Sequence, residues 1–162
     1  KEGEFSDRYY TGYENYLSPE QISRIRYIPT LHGFRTLSQL ISMSASAKKY
    51  KNKFIFQESW LSFYDYFFAL FQTVILSFKI KNTPYFRGVN IHQLFVRESK
   101  KDIFSPSFMM AICKYRFIKK MRVEGVGVCH VLNWNENQNI DKALNLAIHE
   151  FYPGISVKGF KD

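Results

Sequence analysis

Between Glu58 and Ile80, Trp60, Phe63, Tyr64, Phe67, Phe68, Phe71, Ile75 and Phe78 recur at steps of three and four. Only a helix gathers residues so spaced onto one face, so this stretch predicts a long helix with an almost wholly aromatic stripe. At ~1.5 Å per residue it reaches roughly 30 Å, about the thickness of a bilayer's hydrocarbon core. Ser62, Asp65, Gln72 and Thr73 gather on the other side, and a carboxylate is costly in lipid. The expectation is therefore a central helix whose aromatic face is covered by other protein.

The rest of the chain punctuates itself. Ser18-Pro19 and Ser105-Pro106 each place a capping hydroxyl before a proline suited to the first helical position. Ile25–Ile28 reads as a short strand, Lys53–Gln57 as a second strand or an extended connector, and Leu37, Leu40 and Ile41 as one helical face. Tyr85 to His92 is a mixed segment, and Arg97 to Asp102 a charged turn. In the helix opened by Ser105, Phe108, Ala111, Ile112, Tyr115 and Ile118 form the inner stripe, with Lys114 among the outer cations and Gly125 as the stop. Val126 to Leu132 is a near-continuous apolar strand of the kind covered on both faces. A helix from Ile140 to Phe151 and a strand from Ile155 to Phe160 follow, which makes a βαβ unit with parallel strands. The fold expectation is α/β: a Rossmann-like, mostly parallel sheet flanked by helices, in a single domain over residues 1–162. Because the sequence starts at Lys1 and stops straight after a strand, it is read as one piece of a longer protein.

Ligands of open α/β sheets collect beyond the carboxyl ends of the strands. Asn133-Trp134-Asn135-Glu136-Asn137-Gln138-Asn139 occupies that place, with one carboxylate, several amides and an indole. This set suits sugar hydroxyls and a stacked ring, with Glu136 as general base or hydroxyl-orienting group. The plainer alternative is that Asn137 or Asn139 caps the next helix, with Asp141 favouring its positive end. His130, just before the turn, reads as a core residue, and His32 beside Gly33 has no acid partner. Cys113 and Cys129 are far apart, without CxxC or histidine pairing, and read as buried free thiols. No metal-ligand spacing or phosphate-cradling glycine loop is present in the sequence.

Lys and Arg total 23 against 14 acidic residues, a formal charge of +9. Such an excess suits nucleic acid, anionic lipid or anionic saccharide. Nucleic acid is disfavoured, because the aromatics lie on a helical stripe and no nucleic-acid-binding motif is present.

Trp134-Asn135-Glu136-Asn137-Gln138, followed by Asp141-Lys142-Ala143-Leu144, Phe151-Tyr152-Pro153 and Gly159-Phe160, resembles a segment of bacterial surface-carbohydrate biosynthesis proteins. These are glycosyltransferases of GT-B type from capsule and lipopolysaccharide assembly. Tyr85 to Ile91 with Arg97-Glu98, and Tyr27-Ile28-Pro29-Thr30, are similar to segments that precede it in that family. Two departures stand out: Lys161-Asp162 replace the family's aromatic-Gln or His step, and the second half of a GT-B protein is missing. The resemblance implies one half of a GT-B fold, the N-terminal, acceptor-side part of a transferase that does not turn over alone. It further implies a nucleotide-sugar donor, no bound metal or other cofactor, a saccharide acceptor and a missing C-terminal domain as partner. The location expected is cytoplasmic, peripheral at the inner membrane face. From chemistry, Glu136 is the catalytic candidate. Trp134, Asn135, Asn137 and Gln138 are candidate sugar contacts, and Arg87 and Arg97 candidate partners of an anionic group. Two rival readings stand beside this one. The first is a non-catalytic basic module for nucleic acid or an acidic polymer. The second is an interaction domain whose aromatic helix docks on a partner, which predicts an apolar patch left exposed.

Overall fold

A helix begins where a side chain can satisfy its first free N–H groups, and the chain supplies such caps at the expected places. The computed structural model describes residues 12–29, 53–79, 85–103, 105–134 and 138–160. It divides into two compact units, Lys1–Gln57 and Glu58–Asp162. In the first, the Ser18 hydroxyl accepts from the Gln21 amide while the Gln21 side chain accepts from the Ser18 amide. This reciprocal box starts α1 (Pro19–Arg24). The two strands expected here reduce to a single parallel bridge between Tyr27 and Phe54. The helical face of Leu37, Leu40 and Ile41, and the turn at His32, lie outside the described residues.

The second unit is mostly helical. It contains α2 (Phe63–Lys79), a hairpin of β1 (Tyr85–Phe86) and β2 (Val89–Asn90), and α3 (His92–Ile103). These are followed by α4 (Pro106–Val123), β3 (His130–Trp134), α5 (Asn139–Phe151) and β4 (Ser156–Phe160). The α4 helix is its centre, packing on α2, α3 and α5. Ser105 caps α4 by accepting from the Phe108 amide, and Gly125, at φ 77°, turns the chain after it. The core is Leu61, Ala69, Ile103, Ala111, Cys113, Phe117, Ile118, Met121, Ala147, Ile148 and Tyr152. The Tyr152 hydroxyl donates to the Val126 carbonyl at 2.9 Å, fastening the end of α5 to the start of the segment leading into β3.

The expected Rossmann-like, mostly parallel sheet is not the fold. Among the described residues there are only two sheets, each of two strands: the antiparallel β1–β2 hairpin and the parallel β3–β4 pair. The βαβ unit itself is present, with α5 between parallel β3 and β4, but no further described strand extends it. The physical reason lies in Phe63–Lys79, His92–Ile103 and Pro106–Val123, which form helices and leave only the short hairpin between them as strand. Arg97 to Asp102, expected as a charged turn, is the body of α3.

Burial brings further corrections. In α4, Cys113, Lys114, Phe117 and Met121 are buried with Ala111 and Ile118, so the inner face is rotated from the expected stripe. Cys129 is exposed rather than buried. His130 and Leu132 are also exposed, so β3 is not covered on both faces.

Lys114 is an unusual core residue. Burial pushes its ammonium pKa down, while the charge of Glu58 opposes the shift. Its Nζ lies over the Phe117 ring, 5.7 Å from the centroid. A buried ammonium gains little that an apolar chain of similar length would not supply. Lys114→Met is therefore expected to leave the melting temperature unchanged or to raise it by a few degrees. A clear fall in thermal unfolding would show that the charge is needed.

Candidate functional site

Strands β3 and β4 run in the same direction, in register from His130↔Ser156 to Trp134↔Phe160. Their carboxyl ends therefore coincide, and the turn into α5 leaves from that end. Asp141, in the first turn of α5, ties the turn's two ends together. Its carboxylate accepts from the Gln138 amide at 3.1 Å and from Asn133 Nδ2 at 3.3 Å. Gln138 holds the cap position expected of Asn137 or Asn139, and Asn139 is the first helical residue. A carboxylate there also meets the positive end of the helix dipole.

Of the candidate residues, Trp134 ends β3 and Gln138 precedes α5, so both flank the turn. Asn135, Glu136 and Asn137 lie outside the described residues. Arg87 sits in the hairpin turn with its guanidinium over the Phe86 ring, and Arg97 Nε is 3.2 Å from Glu98 Oε1 on α3. His130 opens β3 rather than closing it. At ~3.3 Å per residue it stands roughly 13 Å from the strand's carboxyl end.

A second cluster, unforeseen in the sequence, organises α2. Asp65 is fully buried. It accepts from the Ser62 amide and hydroxyl, both at 2.7 Å, from Arg116 Nε at 2.6 Å and from Lys120 Nζ at 2.5 Å. Arg116 and Lys120 are one turn apart on α4 and so present two cations to one carboxylate. Burial alone pushes the Asp65 carboxyl pKa up; hydrogen bonds from Lys120, Ser62 and Arg116 outweigh it and hold the group well below the usual range. Lys120 also donates to the Trp60 carbonyl at 3.2 Å, and Arg116 lies over the Phe68 ring, 4.1 Å from the centroid. The signal available in the sequence was the lone acid of α2 opposite an i, i+4 pair of cations.

This clamp decides which way α2 faces. Asp65, Ala69 and Thr73 point inward and are buried, while Phe63, Tyr64, Phe67, Leu70, Phe71 and Val74 are exposed. The expectation of a covered aromatic stripe is thus overturned for Phe63, Tyr64, Phe67 and Phe71, because three charges and two serine donors fix the polar side inward. No helix among the described residues is long and apolar enough to cross a membrane. Among those residues there is also no group of three or more His, Cys, Asp or Glu side chains placed to hold a metal ion. The chain matches no family model, no curated protein and no solved structure.

Proposed function

We propose that the turn between β3 and α5 is a saccharide-binding site, in a chain that forms the acceptor side of a glycosyltransferase building a bacterial surface polysaccharide. The observation that supports this reading is the parallel β3–β4 pair, whose shared carboxyl end carries the amide-rich turn. Trp134 offers a ring for a sugar face, and the amides of Asn135, Asn137 and Gln138 donate to and accept from hydroxyls. Glu136 removes the proton of the acceptor hydroxyl as its oxygen attacks the anomeric carbon and the bond to the nucleotide breaks.

The test is saturation-transfer NMR on this chain with a panel of neutral hexoses, aminohexoses and hexuronic acids. At least one class is expected to bind, and Glu136→Ala is expected to weaken it about tenfold or more, the worth of a hydrogen bond to a charged group. The melting temperature should not move. Absence of saccharide binding, or equal binding by the variant, overturns the proposal. Binding of RNA or heparin that falls steeply with salt, without saccharide binding, would assign the chain to the basic-module class instead.

A further inference from the structure

The outward face of α2 is an apolar row set on a rigid helix. Phe63, Phe67, Leu70, Phe71 and Val74 follow one another at steps of four, three, one and three, and Phe63 is 81% exposed. Turning α2 to cover the row would tear Asp65 from Arg116 and Lys120, so the exposure is enforced by the fold. Monomeric soluble proteins rarely display so many large apolar side chains in one continuous line.

The hairpin that follows α2 in the chain has the same chemistry in smaller form. Tyr85, Phe86 and Val89 are all exposed, and Arg87 stands at the tip with φ 50°, followed by Gly88 at φ 82°. A two-residue hairpin turn with both central residues at positive φ favours Asn or Gly, so arginine is a costly choice there. What arginine adds is a cation held beside three exposed apolar side chains. Strand β2 leads into α3, where Leu94 and Phe95 are exposed along with Arg97, Lys100 and Lys101. Glu98 offsets Arg97 and Lys101 in part.

We infer that α2 and the β1–β2 hairpin dock on the surface of an anionic lipid bilayer, α2 lying in the interface with its aromatic row in the acyl boundary. Phe and Tyr on one face of a helix, with arginine and lysine in the elements that follow it in the chain, is the composition of interfacial segments. The formal charge of +9 complements anionic headgroups. The same charge opposes a second copy as occupant, since two such chains repel each other. The opposite face of α2 carries buried Asp65 and Thr73 against α4, so the helix lies on the bilayer and does not span it. Of the candidate site residues this inference uses only Arg87 and Arg97, and it stands independently of the saccharide reading.

The experiment is flotation of the chain with vesicles of pure phosphatidylcholine and of phosphatidylcholine mixed with phosphatidylglycerol. Binding is expected to the mixed vesicles only, and to weaken as salt is raised. Phe67→Ser combined with Phe71→Ser should lower the partition coefficient at least about tenfold, since two large apolar groups no longer leave water. Arg87→Gln should lower it about fivefold, the usual effect of one cation near an anionic surface. All three positions are exposed, so circular dichroism and melting should match the parent chain. Equal binding to both kinds of vesicle overturns the anionic assignment. No vesicle binding overturns the inference outright; if the chain is then a dimer that the two Phe changes dissociate, the face belongs to a second copy.

Discussion

Asp65→Ala is expected to destabilise the Glu58–Asp162 unit by about 3–5 kcal/mol, the usual cost of breaking a buried ion pair from one side. The size comes from what is left behind. Removing the carboxylate strands Arg116, mostly buried against the Phe68 ring, and Lys120 beside the Trp60 carbonyl. It also removes the acceptor for the Ser62 amide and hydroxyl at the start of α2. Urea unfolding followed by circular dichroism measures the effect, and a loss under about 1 kcal/mol would place the clamp among ordinary surface pairs. Acid gives a second readout without mutation. The folded pKa of Asp65 lies below its unfolded value near 3.8. Its contribution is therefore complete above about pH 4 and drains away as pH falls toward the folded value. Asp65→Asn should flatten that part of the stability profile.

Phe117→Ala is expected to cost a comparable ~3–5 kcal/mol, through a different mechanism. Phe117 is among the largest fully buried side chains and meets Trp60 edge to face, with centroids 6.1 Å apart. It lies on α4, which packs against α2 and α5, so the surrounding helices cannot all close on the space left by the ring. The Lys114 ammonium would lose the ring it lies over, adding to the cost. A loss of only a few tenths of a kcal/mol in urea unfolding would show that the site collapses freely. Phe67→Ala, on the outward face of α2, is the matched control and should cost little.

Local chemistry was legible in the sequence, and long-range chemistry was not. Ser18-Pro19 and Ser105-Pro106 each opened the helix they spelled, because capping is settled within four residues. The βαβ order of β3, α5 and β4 was legible for a similar reason: a buried helical stripe between two apolar runs has few other solutions. Extending that pair to a whole parallel sheet was not warranted by any third strand of matching character. The spacing of the α2 aromatics defined a stripe, but spacing is silent about which side of a helix faces the core. That choice rests on Asp65 meeting Arg116 and Lys120, 51 and 55 residues further along the chain. Lys114 shows the same limit, since its charge predicts exposure and its place on the α4 face overrides it. At the candidate site, Gln138 holds the cap in place of the expected Asn137 or Asn139, Asp141 meets the helix start as an acid there should, and Glu136 has only its chemistry and its place in the chain to speak for it.

The two-strand sheet of β3 and β4 has a consequence for the protein outside its native setting. Among the described residues each strand pairs on one side only, so each presents a second row of backbone groups with no strand beside it. Parallel strands are normally interior members of wider sheets, and an open edge invites another chain to add to it. Concentrated or partly unfolded preparations should therefore aggregate by strand recruitment at this pair. Lys158, exposed in the middle of β4, sets a charge on that strand, and a lysine on an edge opposes such pairing. Its replacement by valine should speed thioflavin-positive aggregation while leaving the helical unit intact.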